Sequence, residues 1–263
     1  MTGHVISLTT DFGLRDPYAV EMKAVILSIC PTAVIVDVTH DVEKFNVRMG
    51  AFLLSCAAPY FPEGTIHLGV VDPGVGTQRR RIIVQTERGF FVGPDNGLLM
   101  LAAEAQGIRR VHEIRSRRLV LPHVSSTFHG RDIFAPAAAH MSNGVALEEF
   151  GPEISDAVKP DFAKTTRTRD SVTGEVLHVD GFGNIITNLR AHDLEGIKHD
   201  VMTARLGRHE LQLRLSKTYA DAEQDKPIAL IGSHNYLEIA LNQGDAARKL
   251  DAKPGDKVTF SIA

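Results

Sequence analysis

The residues best suited to chemistry lie in short loops where glycine and proline interrupt apolar runs. In TIHLGVVDPGVGTQRRR, residues 65–81, the stretch Ile66–Val71 delivers Asp72 into a Pro/Gly loop. Pro73, Gly74 and Gly76 exclude a helix directly after it, so Asp72 and Arg79 are not a helical charge pair. The loop can instead turn Arg79 back onto the carboxylate, at the end of a buried strand, where open α/β sheets place their ligands. Spacing leaves two readings open, a brace for the loop and a ligand-facing pair. In TFHGRD, His129 stands between an aromatic residue and Gly130 just before a helix, an acid/base candidate as well as a packing histidine. Arg131 and Asp132 read as helix-start and packing residues.

Three further loops offer groups for a small polar ligand. TTDFG, residues 9–13, places Asp11 at a strand end, where one carboxylate can accept both hydroxyls of a diol. Asp16 fits as the N-cap of the next helix, with Pro17 at its first position. DGFGNIITN, residues 180–188, puts an anion (Asp180), a stacking face (Phe182) and an amide (Asn184) into one turn, although a Gly/Asn hairpin explains the same residues. GSHNYLEIALNQG, residues 232–244, sets Ser233, Asn235, Tyr236 and Glu238 ahead of an apolar strand, suited to a zwitterion or to a turn.

Other chemistries lack their patterns. GVGT at 74–77 has neither GxGxxG nor the Walker lysine, and twelve histidines form no HExxH or comparable metal spacing. No metal or cofactor is expected. The chain has 263 residues, 43% hydrophobic and 23% charged, enough to bury one large core or two smaller ones. A net charge of −3 argues against a general nucleic-acid or anionic-membrane binder, and the clusters Arg79–Arg81, Arg109/Arg110 and Arg115/Arg117/Arg118 read as solvated surface. Cys30 and Cys56 fall inside apolar stretches, as buried free thiols of a reducing compartment do. MTGHVISLTT lacks the basic and apolar regions of a secretion signal, and no apolar run is long enough for a membrane span, so a cytoplasmic protein is expected.

The elements that must position these loops follow in order. Strands are expected at His4–Thr9, Ala33–Val38 and 65–72, alternating with helices over PYAVEMKAVILSIC and Asn46–Ala58. The first helix shows Val20, Ala24, Val25, Leu27 and Ile29 at helical spacing. Strand–helix–strand–helix–strand predicts a mostly parallel, right-handed α/β sandwich. Strands at Arg81–Gln85 and Gly89–Val92, a GPDNG turn, a helix at Leu98–Ala105, a polar loop and an alanine-rich helix after residue 130 complete it. Strands at Ser171–Val179, Val201–Leu206, Glu210–Leu215, Pro227–Ile231 and Lys257–Ile262 predict an antiparallel, barrel-like domain. The division is an α/β domain over 1–155, a linker over 156–170 and a β-barrel-like domain over 171–263. From spacing alone the reading ends at an α/β protein that binds a small polar ligand.

The motifs TTDFGLRDPYAVEMK, VVDPGVGTQRRR, GPDNG, FHGRD, DGFGNIITN and NYLEIALNQG, in this order over essentially the whole chain, resemble the S-adenosylmethionine hydroxide adenosyltransferase family. That family is related to the S-adenosylmethionine-dependent fluorinase and chlorinase. The resemblance implies an α/β amino-terminal domain, a carboxyl-terminal β-barrel, and homotrimers with the ligand between neighbouring subunits. It implies hydrolysis of S-adenosyl-L-methionine at ribose C5′ to adenosine and L-methionine, with the (R)-sulfonium epimer suggested and no cofactor. By motif, Asp72, Arg79 and His129 match a water-activating triad and Asp11 the ribose-diol carboxylate. Asp180 and Ser233 match contacts to the methionine amino-acid group, while Phe182 and Asn184 belong to the purine and sulfonium side, with Tyr219 a purine-stacking candidate. Asp16 and Glu238 complete the substrate-facing candidates. Where the fluorinase has tyrosine this chain has Asp72, and where it has tyrosine before serine this chain has His129–Gly130; His234 stands where relatives carry arginine or serine. Two competing readings keep the pocket, a halogenase and a non-catalytic adenosine or S-adenosylmethionine binder. A fixed carboxylate at Asp72 repels a halide and argues against the first.

Overall fold

A computed structural model describes residues 5–195, 201–223 and 225–261. They fall into two units, Met1–Pro160 and Asp161–Ala263. His4 and Ile262, the outer residues expected of the first and last strands, lie outside the described residues.

In the first unit, β1 (Val5–Thr10), β2 (Val34–Thr39), β3 (Thr65–Val70), β4 (Arg81–Thr86), β5 (Gly89–Pro94) and β6 (Ile108–Glu113) form one sheet in the order β2-β1-β3-β5-β4-β6. The pairs β1–β2, β1–β3 and β3–β5 are parallel, whereas β4 runs antiparallel to both neighbours. β3 is buried along its whole length, as a central strand covered on both faces must be. Helices α1 (Tyr18–Ile29) and α4 (Ala135–Ser142) pack together on one face, α2 (Val47–Ala57) and α3 (Met100–Ala105) on the other. One core joins Leu8, Met22, Ile26, Leu68 and Phe134; the other joins Leu54, Val71, Phe91, Leu98 and Leu99. The mostly parallel sandwich follows from apolar strands that need cover on both sides.

Three local expectations are corrected. Helix α1 begins at Tyr18 with Pro17 at the cap position and no side-chain cap bond, so Asp16 is not its N-cap. Its buried face is Ala19, Met22 and Ile26, while Val20 and Leu27 are 64% and 44% exposed. Residues 108–113, expected as polar loop, form edge strand β6; Val111 and His112 bury there, and Arg110 Nε donates to Gln85 Oε1 across the pair at 3.0 Å. The antiparallel partner β4 supplies the ladder that local propensity did not announce. A side-chain cap is present instead at α2, where Asn46 Oδ1 accepts from Met49 N at 2.9 Å.

The second unit contains β7 (Thr166–Arg167), β8 (Ser171–Val179), β9 (Ile185–Thr187), β10 (Val201–Leu206), β11 (His209–Leu215), β12 (Ile228–Ile231), β13 (Leu237–Ala240), α5 (Ala246–Leu250) and β14 (Lys257–Ser261). The pairing β14-β10-β11-β12-β13-β9-β8 closes through a β14–β8 ladder into a seven-stranded barrel, with β7 added outside β8. Closure removes the edges, and alternate residues such as Met202, Ala204 and Leu206 turn inward to a core with Val176, Leu213, Ile239 and Phe260.

Candidate active site

In the first unit the carboxyl ends of β1 and β3 deliver two acidic loops, and a third loop comes from before α4. After β3, Asp72 opens a tight turn. Val75 N donates to Asp72 O at 3.2 Å, Thr77 Oγ1 to Gly74 O at 2.7 Å and Arg79 N to Thr77 Oγ1 at 3.3 Å. The turn reverses the chain and returns Arg79 to Asp72. Arg79 Nε donates to Asp72 Oδ1 at 3.0 Å, Arg79 Nη2 to Oδ2, and Arg79 Nη1 to Arg80 O at 2.7 Å. Only 8% of the Arg79 side chain and 6% of the Asp72 side chain are exposed. The fork is bidentate, the geometry in which guanidinium and carboxylate bind best.

Gly76 joins this loop to the one carrying His129. It has φ +78°, and a Cβ there would stand 2.4 Å from Ser126 O, so only glycine permits the approach. His129 precedes one π-helical turn, Gly130–Phe134, a local irregularity often found where side chains are aimed at function. Its Nδ1 lies 3.1 Å from Arg79 Nη2. A guanidinium only donates, so Nδ1 is the acceptor and the neutral ring carries its proton on Nε2.

Electrostatics fit that assignment. Burial, followed by the charges of Arg79 and Arg81, pushes His129 down to about 4, so the ring is neutral near pH 7. Burial pushes the Asp72 carboxyl up against the pull of Arg79, with the negative charge of Asp11 adding to the rise. Asp72 is thus a more basic carboxylate than a solvated one, held in shape by a cation that burial also disfavours.

Asp72 and His129 line a cavity of about 520 Å³ together with Asp11, Asp16 and a set of aromatic residues, with Arg79 behind them. Phe12, Tyr18 and Phe128 pack edge-on or tilted at 5.1–5.8 Å. Gly130 makes room for them, since a Cβ there would stand 3.2 Å from Met22 Sδ and Phe128. Asp11 accepts the backbone N–H of Phe45 at 2.9 Å. That bond holds Phe45 at the cavity with φ +66° and 68% exposure. Such a conformation disfavours a bulky side chain and recurs at functional sites. Phe12, Tyr18, Phe45 and Phe128 were not among the sequence candidates; the one available signal was an aromatic residue in the otherwise polar loop DVEKFN.

The remaining candidates lie in the barrel unit. Asp180 Oδ1 accepts Phe182 N and Asn184 N at 2.9 Å each, and Oδ2 accepts Asn184 Nδ2 at 2.9 Å. The turn leaves Phe182 83% exposed and buries Asn184. Tyr219 donates its hydroxyl to Glu238 Oε2 at 2.8 Å. Burial pushes the Glu238 carboxyl up, and burial with the Glu238 bond pushes Tyr219 up to about 12. The charge of Asp180 acts on both, so these three residues cluster, and Ser233 is exposed in the 232–235 turn. Among the described residues no group of histidine, cysteine and acidic side chains could hold a metal.

Comparison with known proteins accounts for both units. The family model for the SAM hydroxide adenosyltransferase N-terminal domain matches residues 6–151, and that for the C-terminal domain matches residues 174–259. The chain is 39% identical over 256 residues to the (R)-S-adenosyl-L-methionine hydrolase of Salinispora tropica, covering 96% of each chain. It is 30% identical over 291 residues to a fluorinase of Actinoplanes sp., covering 98% of each. The crystal structure of an uncharacterized conserved protein from Thermotoga maritima superposes with a TM-score of 0.89 at 40% identity, over 97% of this chain and 99% of that one. The chain therefore belongs to the SAM hydroxide adenosyltransferase family.

Proposed function

We propose that this protein hydrolyses S-adenosyl-L-methionine, with water attacking ribose C5′ to release adenosine and L-methionine, and that it prefers the (R)-sulfonium epimer carried in the names of its hydrolase relatives. The observation that carries this reading is the buried Asp72–Arg79–His129 arrangement, of which Asp72 and His129 line a cavity that Asp11 also lines. A sulfonium is a good leaving group and needs no acid at sulfur. Water is a poor nucleophile and must be oriented and relieved of a proton. In the step proposed, the water oxygen bonds to C5′, the C5′–S bond breaks, sulfur keeps the electron pair as methionine, and the water proton passes to Asp72. The assignment to Asp72 rests on hydrogen bonding: His129 Nδ1 is engaged by Arg79 and Nε2 already bears the proton, so the imidazole donates a bond and orients. Arg79 holds the carboxylate in place through its bidentate fork, aiming it at the attacking water.

Asp11 is proposed to take the ribose diol and the aromatic residues to enclose the nucleoside. Asp16 lies at the rim of the same cavity. Asp180 and Ser233 are proposed to contact the methionine group, and Phe182, Asn184, Tyr219 and Glu238 the purine and sulfonium side. We further propose a homotrimer with the substrate shared between neighbouring subunits. Exposed Val34 and Val36 on edge strand β2 supply apolar surface for self-association. A cytoplasmic location is proposed from Cys30 and Cys56, both buried and neither in a disulfide. No helix among the described residues is long and apolar enough to cross a membrane.

Chromatography after incubation with each sulfonium epimer, in the presence of chloride, tests the reading. Adenosine and methionine, formed faster from the (R) epimer, are expected. A 5′-haloadenosine would establish the halogenase reading, and unconsumed substrate with retained binding the non-catalytic one.

A further inference from the structure

Three consecutive arginines leave β3's loop and enter β4, and two have acidic partners. Arg79 holds Asp72, and Arg80 holds Asp95 at 2.8 Å and Asp156 at 2.6 Å. Arg81 has no side-chain hydrogen bond or ion pair among the described residues, and its Nε is buried without an acceptor. A buried cation donor left unsatisfied is costly, and native structures almost always supply it with a partner.

Arg81 faces a second cavity, of about 570 Å³, at the sheet edge where β4 starts and β6 ends. Arg115 and Arg117 from the following loop line the same space, with Glu113 the one carboxylate among the lining residues. Arg115 Nη2 stands 2.7 Å from Glu113 Oε2, close enough for an ion pair but without hydrogen-bond alignment. Three guanidinium groups against one carboxylate leave two positive charges uncompensated. Ile114, Val120, Leu121 and Ile133 add an apolar wall. The basic clusters 79–81 and 115–118, which read as separate solvated runs, thus meet in one concavity. It lies next to the triad, because the charge of Arg81 is felt by Arg79 and His129.

We propose that this cavity is a binding site for a phosphate group, with Arg81 and Arg117 as its principal donors and the apolar wall accommodating the body of a small phosphomonoester. Guanidinium forks match tetrahedral oxyanions in geometry and charge. The volume exceeds what free phosphate fills and falls in the range of small-molecule pockets.

Isothermal titration of the full-length protein at low ionic strength, with phenyl phosphate and separately with inorganic phosphate, tests this. Saturable binding of one phosphate per chain is expected. Arg81→Gln and Arg117→Gln should each weaken it by about ten- to a hundredfold, the loss of one charge-assisted bond. Asp11→Ala, in the other cavity, should leave it unchanged. Tighter binding of phenyl phosphate assigns the site to phosphomonoesters, and equal binding of both assigns it to free phosphate, each supporting the phosphate chemistry. Absence of saturation at millimolar concentration, or equal affinity in wild type and both variants, would overturn the proposal. Arg117 is exposed on a short turn, so its variant remains informative if Arg81→Gln folds poorly.

Discussion

Replacing Asp72 by asparagine separates a brace from a base. The amide keeps the shape and one acceptor oxygen but presents an N–H to a guanidinium that also donates. Arg79, 8% exposed, then keeps its charge without a counter-ion. Removing one member of a buried pair costs about 3–5 kcal/mol, and the retained acceptor puts this substitution near the lower figure. Stability loss by itself therefore fits both roles. Turnover separates them: loss of a positioned base lowers it by about 10²–10⁴, roughly 3–5 kcal/mol of barrier. The decisive partner is Asp72→Leu with Arg79→Met, which swaps the pair for apolar side chains and should recover most of the stability. A brace restored in this way would recover activity, whereas a missing base would not. The assays are urea midpoints, adenosine calorimetry and initial rates on the same preparations. Turnover within about threefold of wild type in Asp72→Asn, with adenosine binding intact, would refute the assignment, since a positioned base is worth far more.

Three further outcomes are expected. His129 and His67 are each pushed down to about 4, chiefly by burial, while in the unfolded chain they protonate near 6.5. Between these values the unfolded chain binds more protons, so stability should fall as pH drops from about 6.5 to 4, and kcat/KM should show no histidine inflection between pH 6 and 8; urea midpoints that do not fall over the acid range, or a rate inflection near 6.5, would contradict this. Asn46→Ala should cost about 1 kcal/mol as a lost cap, whereas Asp16→Ala should change stability by less than about 0.5 kcal/mol and raise KM, read from thermal melts and rates. Gly76→Ala would place a Cβ 2.4 Å from Ser126 O and should lower turnover more than adenosine affinity, measured by rates and calorimetry, by shifting the His129 loop from Arg79.

The fold was largely legible because its signals are local. Apolar runs closed by Pro/Gly loops mark β1, β3 and β5, branched apolar runs mark β2 and β4, and period-two patterning marks β10 and β14. What escaped depends on distant partners. Strand β6 is held by β4, the barrel closes through β14–β8 pairing, and the α1 face is chosen by α4 and the sheet rather than by its most apolar stripe. In the candidate site, the turn that returns Arg79 to Asp72 could be read from Pro73, Gly74 and Gly76. The meeting with His129, fifty residues further on, could not. It depends on an interloop contact at Gly76 that no spacing rule records. Asp11 shows a further limit: its carboxylate also fixes the strained Phe45 backbone, a role with no local sequence mark.

Transfer of solvent oxygen to the nucleoside reports directly on attack at C5′. Turnover of S-adenosylmethionine in ¹⁸O-enriched water should give adenosine with the heavy isotope at the 5′-hydroxyl and methionine without it, since attack at C5′ leaves the carbon–sulfur bonds of methionine intact. Unlabelled adenosine, label in an amino-acid product, or cleavage to methylthioadenosine would contradict water attack at C5′ and the roles given to Asp72, Arg79 and His129.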